Sequence, residues 1–225
     1  MNRKFWFCQL SVVVITIIFC LTLFSLPANA YVATDYYKLL KTNQCNNCDL
    51  SRANLSGQDL YGSALIGANL SGANLSGASL QRAKLGKANL TGANLSKADL
   101  SASTLSGADL TRADLSEADL FNAQMDQAIL VDATLIGADL ESAILSKANL
   151  SNAVAENAKF ENAILSESNL SGTDFSQANM KSVKLAKANL KGAKFFGTNL
   201  SKAVMPNETI YNEDVSKFGA YRQCS

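Results

Sequence analysis

Cys45 and Cys48 form the one Cys-x-x-Cys motif of the chain, and they are the residues best suited to covalent chemistry. In thiol oxidoreductases such a pair usually opens a helix next to a βαβ unit, where the thiolate is stabilised. Here the motif follows a predicted helix and precedes a long repeat. It therefore predicts a disulfide that ties the N-terminal segment to the first repeats. Free thiols and a redox-active pair remain the alternatives.

The chain contains no histidine. This removes the commonest general base and the commonest neutral metal ligand. Beyond a predicted leader only Cys45, Cys48 and Cys224 remain, so a zinc site is not favoured. The thiol of Cys224 is left to pair with the N-terminal motif or with another molecule. We therefore expect no enzyme, no bound metal and no cofactor.

Asp99, Asp119 and Asp139 recur at intervals of twenty residues. If they stack on one face, their carboxylates could attract a cation such as Ca²⁺. Aspartate is also an ordinary turn residue on solvated surfaces. The second interpretation is the favoured one.

The elements that position these residues come from a five-residue period. From Leu50 to Met205 every fifth residue is large and apolar, except Ala155, and 25 of these 32 positions are Leu. Ala stands two residues earlier in 24 of the 32 units. On a helix each five-residue step would rotate the Leu by about 140°, and on a flat strand it would flip the Leu to the opposite face. Each unit must therefore be a short extended stretch followed by a corner.

The residues around each Leu suit such a corner. Asn or Asp precedes the central residue in 18 of the 32 units, and Ser and Gly often follow it. Because Asn, Asp and Gly tolerate left-handed backbone, we expect them to form the corners. Stacked units of this kind build a β-solenoid.

Segments such as residues 68–72 (Ala-Asn-Leu-Ser-Gly) and 98–101 (Ala-Asp-Leu-Ser) resemble the A-(D/N)-L-x-x pattern of the pentapeptide-repeat family. The resemblance implies an all-β solenoid, a right-handed quadrilateral β-helix with four units per coil. The thirty-two units would make about eight coils, roughly 38 Å long at a strand spacing of about 4.8 Å. Ala155 would then lie between Leu135 and Phe175, beside Phe160. This favours volume compensation over a ligand cavity.

Residues 1–30 are predicted to be a signal peptide. Arg3 and Lys4 precede the apolar run Ser11–Phe24, and Ala28-Asn29-Ala30 matches a small-x-small cleavage site. An uncleaved membrane anchor is the alternative, since the apolar stretch is long enough to span a bilayer. A lipoprotein signal at Cys20 is not favoured because bulky Phe19 precedes it.

Residues 31–45 are predicted to form an N-terminal helical cap and residues 206–225 a C-terminal capping tail, with the β-helix over 46–205 between them. The cap helix should begin at Thr34 or Asp35. Pro206 should stop the ladder because it lacks an N–H. The inward-facing Gln58 and Ser63 should find partners in the N-terminal cap. The residues expected to cover the first coil are Val32, Tyr36, Leu39 and Leu40, and those over the last are Tyr211, Val215, Phe218 and Tyr221.

Outward β-branched residues break the polar pattern midway along the array. Such a cluster often marks an interface, although scattered surface apolar residues are also normal. Charge is polarised too: residues 46–145 carry 6 basic and 11 acidic side chains, whereas residues 146–205 carry 8 basic and 4 acidic. This either orients a partner or only keeps the corners soluble. The interface candidates are Ile129, Val131, Ile136, Ile144, Val154 and Ile164.

These features favour a non-catalytic structural or protein-interaction scaffold with an unidentified protein partner, and self-association stays open. The leader, the helix and the Cys-x-x-Cys motif resemble exported family members, which suggests the thylakoid lumen or the periplasm. Contact with a membrane is expected only through an uncleaved leader. Some family members resemble duplex DNA and shield topoisomerases, but the lysine-rich second half argues against that role and against nucleic acid as a partner. A lumenal redox or metal-handling protein using Cys45 and Cys48 is the other alternative.

Overall fold

The computed structural model describes residues 32–211, and the leader lies outside this range. One helix, α1 (Ala33–Thr42), precedes the repeats. It ends at Asn43, whose backbone is left-handed and whose N–H donates to the carbonyl of Leu39. Leu39 is buried and Tyr36 packs against the core, so α1 contributes one face to the first coil. No helix in this part of the chain is long and apolar enough to cross a membrane.

The start of α1 differs from the sequence prediction. Val32 occupies the N-cap position, and no side chain caps the helix. Asp35 is not free to do so, because its Oδ2 accepts the backbone N–H of Asp49 at 2.9 Å. Two of the four residues expected to cover the first coil are also largely exposed, Val32 at 44% and Leu40 at 42%. The helix is therefore tied to the repeats by Asp35, Tyr36 and Leu39 rather than by a broad apolar face.

From Gln44 to Val204 the chain forms a ladder of parallel bridges between residues twenty positions apart. Each coil thus contains four five-residue units. Each unit contributes one bridged residue that faces outward, and we call it the rung residue of that unit. The described residues contain no longer strand, so every side of the solenoid is one rung wide. Between coils, Leu70 N–H donates to the carbonyl of Asn89 at 2.7 Å, and Asn89 N–H donates back to Ala68 at 2.9 Å. The same pair of bonds recurs along the array.

The rungs define four sides. The first side consists of Gln44, Ala64, Lys84, Thr104, Gln124, Ile144, Ile164, Lys184 and Val204. The second side consists of Asp49, Asn69, Asn89, Asp109, Ile129, Asn149, Asn169 and Asn189. The third side consists of Asn54, Asn74, Asn94, Asp114, Thr134, Val154, Asp174 and Lys194. The fourth side consists of Asp59, Ser79, Asp99, Asp119, Asp139, Lys159, Asn179 and Asn199.

The interior is built by the large apolar residue of each unit. All thirty-two of these side chains, from Leu50 to Met205, are between 0 and 2% exposed. The small Ala155 is accommodated by aromatic neighbours: the rings of Phe160 and Phe175 meet edge to face at 5.6 Å, and Phe175 stacks on Phe195 at 5.4 Å. Large side chains beside the small one keep the interior densely filled.

The corners have one repeated geometry. The carbonyl of Leu50 accepts the N–H of Ala53 at 3.0 Å, and the third residue of this turn, Arg52, has a φ of 58°. This is the signature of a type II turn. A positive φ occurs at all 32 equivalent positions from Asn47 to Lys202, of which only 11 are Gly. The left-handed residue is therefore the second after each Leu. The Asn or Asp before the Leu is a bridged residue on a side of the solenoid. It does not adopt the left-handed corner backbone that the sequence predicts for it.

The ladder ends after Val204. Ile210 pairs with Val204 in an antiparallel bridge, and the N–H of Tyr211 donates to the carbonyl of Ala203 at 2.8 Å. The chain has thus turned back onto the last coil by residue 211. The remaining predicted tail residues Val215, Phe218 and Tyr221, together with Cys224, lie outside the described range.

Candidate functional site

Asn and Asp rung residues close the corners with their side chains. In all 18 cases the side-chain Oδ1 accepts the N–H of the residue two positions later, at 2.9 to 3.3 Å. Several of them also bond between coils, as when Asn189 Nδ2 donates to Asn169 Oδ1 at 3.0 Å. These side-chain bonds satisfy a turn N–H that the backbone leaves open.

The first side lacks this device. None of its nine rung residues is Asn or Asp, whereas the second, third and fourth sides have seven, five and six. Of the turn N–H groups that follow it, that of Ile66 is taken by Asn46 Oδ1 at 2.9 Å. Seven others have no acceptor among the described residues, and they belong to Asn46, Gly86, Ser106, Asp126, Ser146, Ser166 and Ala186. Open turn N–H groups occur on the other sides only after the few rung residues that are not Asn or Asp, such as Ile129, which precedes Val131. The first side is therefore the one on which open donors are the rule.

Cys45 and Cys48 lie side by side between α1 and the first coil, with Cα atoms 5.2 Å apart and both side chains buried. The Cα separation lies within the range that a disulfide requires. The ammonium of Lys38 is 3.9 Å from the Sγ of Cys48. The motif thus lies at the junction that the sequence predicts for it.

Asp99, Asp119 and Asp139 are consecutive rungs of the fourth side. Two of the three carboxylates already accept a side-chain hydrogen bond, since Gln81 donates to Asp99 and Lys159 Nζ donates to Asp139 Oδ2 at 2.9 Å. Burial raises the pKa of Asp99, but hydrogen bonds from Ser101 and Gln81 outweigh it and hold that pKa below its usual value. Within residues 32–211 no three cysteine or acidic side chains are grouped as metal ligands would be.

The family model for pentapeptide repeats matches eight copies in this chain, over residues 44–77, 73–112, 133–172, 143–181 and 173–206. The chain belongs to the pentapeptide repeat family. Membership agrees with the four-unit coil and implies a right-handed quadrilateral β-helix. Pentapeptide repeat proteins are generally non-catalytic, and no enzymatic family is indicated.

Several solved pentapeptide repeat proteins are similar to this chain. HetL of Nostoc sp. strain PCC 7120, which is involved in heterocyst differentiation regulation, is 28% identical over 79% of this chain and 97% of its own, with a TM-score of 0.34. A thylakoid-lumen protein of Arabidopsis thaliana is 29% identical over 62% and 70%, with a TM-score of 0.20. Rfr23 of Cyanothece 51142 is 22% identical over 84% and 94%, with a TM-score of 0.30. At these TM-scores the likenesses indicate neither partner nor activity. No curated protein sequence matches the chain.

The six interface candidates do not form one patch on this pentapeptide repeat solenoid. Only Ile144 and Ile164 are stacked directly, as consecutive rungs of the first side. Ile129 is a rung of the second side and Val154 of the third. Val131 and Ile136 belong to the corners that follow those sides, and Ile129 and Ile136 are 39% and 41% exposed. The candidates are therefore spread over three sides, because a five-residue step moves a side chain to the next side.

Ion pairs run along the solenoid rather than around it. Lys159–Asp139, Lys181–Glu161 and Lys194–Asp174 each join residues twenty apart, at 2.7 to 3.0 Å. The hydrogen bond and charge of Asp139 raise the pKa of Lys159. The lysines of these pairs are exposed, whereas the side chains of the carboxylates are 16 to 28% exposed. Because solvent reaches one partner of each pair, each contributes little to stability. They neutralise part of the charge of the lysine-rich second half, so its surface is less basic than the number of its lysines suggests.

Two buried hydroxyls are left without partners. Ser63 Oγ and Ser103 Oγ are enclosed, and neither has a hydrogen-bond partner among residues 32–211. The expectation that the N-terminal cap would supply a partner for Ser63 is therefore wrong. Gln58, in contrast, is not enclosed, since its side chain reaches the surface and is half-buried. Elsewhere the same position is satisfied, as for Thr173, whose Oγ1 donates to the carbonyl of Leu150 at 2.7 Å.

Proposed function

We propose that this protein is a non-catalytic scaffold that binds another protein through its first side. The observation that carries the proposal is the outward stack of Ile144 on Ile164. It lies on the one side where no Asn or Asp rung residue faces the solvent. A regular side with an apolar centre suits a flat protein surface better than a small substrate.

The two isoleucines offer useful binding energy. Full burial of an Ile side chain contributes about 1.5–3 kcal/mol relative to full exposure. These two are already partly buried in the free protein, so a partner that covers them gains part of that amount from each. Their neighbours at the following corner, Ser146 and Ser166, are small. A partner can therefore approach the rungs closely.

The test replaces the apolar stack without disturbing the coil. Ile144→Asp with Ile164→Asp places at each rung a residue that eight other units already carry, and ten more carry the related Asn, so the solenoid should remain folded. The control is Thr134→Asp with Val154→Asp, two consecutive rungs of the third side with the same added charge. A crosslinking pull-down from the native compartment should lose partners only for the isoleucine variant. If both variants retain the same partners, the first side is not the interface.

We also propose that the protein is exported to the thylakoid lumen or the periplasm. The support is the leader of residues 1–30, with Arg3 and Lys4 before an apolar run and a small-x-small site at Ala28–Ala30. Fractionation of cells that express a C-terminally tagged chain should place a shortened protein outside the cytoplasm. A full-length cytoplasmic protein would reject export and would revive a DNA-mimic role.

In such a compartment Cys45 and Cys48 would form a structural disulfide. Their burial and short Cα separation support this. Thiol titration of the denatured exported protein should find one free thiol, that of Cys224, and three after reduction. Three free thiols before reduction would contradict the disulfide.

A redox role is the second candidate, favoured by the ammonium of Lys38 beside the Sγ of Cys48. A nearby positive charge stabilises a thiolate and makes a disulfide easier to reduce. Equilibration with glutathione separates the two functions. A structural disulfide resists reduction by the glutathione pool, whereas a redox-active pair exchanges with it. Lys38→Gln should shift the equilibrium only in the redox case.

A further inference from the structure

We propose that the first side carries a binding site for a small oxyanion, a carboxylate or a phosphate, where the coils of Lys84 and Thr104 meet. A shallow depression of about 370 Å³ lies there. It is lined by Ile66, Lys84, Gly86, Lys87, Thr104 and Ser106. The site is separate from the Ile144–Ile164 stack and does not depend on the scaffold function.

The first support is a pair of open backbone donors. The N–H groups of Gly86 and Ser106 have no acceptor among the described residues. At the same place on the second side, the N–H of Ser71 is taken by Asn69 Oδ1 at 3.2 Å. The equivalent rung residues here are Lys84 and Thr104, which offer no oxygen acceptor of that kind. An oxygen of a ligand would therefore take the position that Oδ1 occupies in eighteen other units.

The second support is charge. Lys84 and Lys87 are exposed, and neither forms an ion pair within residues 32–211. The hydroxyls of Thr104 and Ser106 add two further groups that can donate. Charge-assisted hydrogen bonds to oxyanions are about twice as strong as neutral ones. Two ammonium groups beside two backbone donors therefore favour a negatively charged ligand.

The third support is that the local backbone acceptors are occupied. The carbonyl of Lys84 accepts from Leu65 N–H at 2.8 Å. The carbonyl of Gly86 accepts from Gly67 N–H at 2.9 Å. Donors without competing backbone acceptors select an anion over a cation. The exposed side chain of Ile66 at the edge leaves room for a short apolar part of the ligand.

The rest of the first side does not repeat this arrangement. Asp126 places a carboxylate at the next corner, and Glu167 lies beside the open N–H of Ser166. Near Ala186, Lys187 is already 4.0 Å from Glu208. Only the corner of Gly86 and Ser106 combines open donors, free lysines and no carboxylate of its own.

The experiment is a titration of the ¹⁵N-labelled exported protein with inorganic phosphate and, separately, with acetate, against chloride at the same ionic strength. The amide signals of Gly86 and Ser106 should shift and saturate with phosphate, acetate or both. The arm that saturates identifies the oxyanion. Absence of a saturating shift in both arms, or an equal shift in chloride, would overturn the site.

Three variants separate the contributions. Lys84→Gln removes one charge and should weaken binding about tenfold, as expected for one charged hydrogen bond. Lys84→Asn removes the same charge but also supplies the Oδ1 that caps Gly86 N–H, so the shift of that amide should vanish. Lys184→Asn makes the same exchange on the same side, five coils away, and should leave binding unchanged. Undiminished binding in Lys84→Asn, or equal loss in Lys184→Asn, would contradict the proposal.

Discussion

Replacing Ser103 with Ala should stabilise the protein, although it removes a hydroxyl from the core. Ser103 is fully buried, and its Oγ has no hydrogen-bond partner in the part of the chain that the structure describes. Burial of an unsatisfied hydroxyl costs about 1–3 kcal/mol. Ala occupies the same position in 24 of the 32 units, so the coil closes well around it. The change should therefore cost little in packing.

The magnitude follows from two opposing contributions. Deleting Oγ leaves a void of roughly 15 Å³, which at about 24 cal/mol per Å³ costs about 0.4 kcal/mol. Relief of the unsatisfied hydroxyl exceeds this, so the free energy of unfolding should rise by about 1 kcal/mol. Urea unfolding followed by far-UV circular dichroism measures it, with an unchanged denaturant slope showing that the denatured state is the same.

The matched control is Ser168→Ala. Ser168 is equally buried, but its Oγ donates to the carbonyl of Leu165 at 2.5 Å. Losing that bond should lower stability by about 1 kcal/mol. Ser63→Ala should behave like Ser103→Ala, and the two gains should add, since these residues lie two coils and roughly 10 Å apart. If Ser103→Ala destabilises as much as Ser168→Ala, the hydroxyl has a partner such as an internal water, and the reasoning is refuted.

Two further predictions concern the corners and pH. Gly77→Ala should lower the free energy of unfolding by about 1 kcal/mol, because Gly77 has a φ of 63°. Ala102→Gly, at a φ of 53°, should raise the free energy of unfolding by a similar amount in the same urea assay. If the two variants change stability in the same direction, the turn geometry is refuted. Because the pKa of Asp99 is held below 3.8, its stabilising effect is present above that pH and lost as the pH falls through the lower folded value. Asp99→Asn keeps a turn-capping oxygen, so its stability should fall less steeply in acid than that of the wild type, and parallel acid curves would contradict the shift.

The sequence predicts the coil well because one constraint dominates it. A five-residue step cannot keep Leu on one face of a helix or a flat strand, so the corner and the inward Leu follow directly. The interval of twenty came from the family resemblance, and the stack of Asp99 on Asp119 confirms it. The Cys-x-x-Cys motif also lies where the helix meets the first coil.

The corner residue could not be identified from composition. Arg52, Ala102 and Glu117 are all left-handed, although such residues rarely adopt this backbone. The ladder bonds of each coil fix the turn regardless of the side chain that occupies it. The residue at which the helix starts could not be identified from the sequence either. The carboxylate of Asp35 accepts the backbone N–H of Asp49 in the first coil and does not cap its own helix.

The distinct first side had a signal that sequence inspection missed. When the rung residues are grouped into the four sets whose members are twenty residues apart, one set contains no Asn or Asp. The open N–H groups that follow from this, such as those of Gly86 and Ser106, become visible only when the bonds of the other three sides are known. The same grouping would have separated Ile129 from Ile144.

The central claim is that twenty residues make one coil, and a distance measurement tests it directly. Asn69, Asn89 and Asn189 are rungs of the second side. In a Cys224→Ser background, spin labels at cysteines replacing residues 89 and 189 should lie about 24 Å apart, five coils at about 4.8 Å. Moving the first label to residue 69 should add about 5 Å. A separation that does not grow by one coil for that twenty-residue shift would contradict the account.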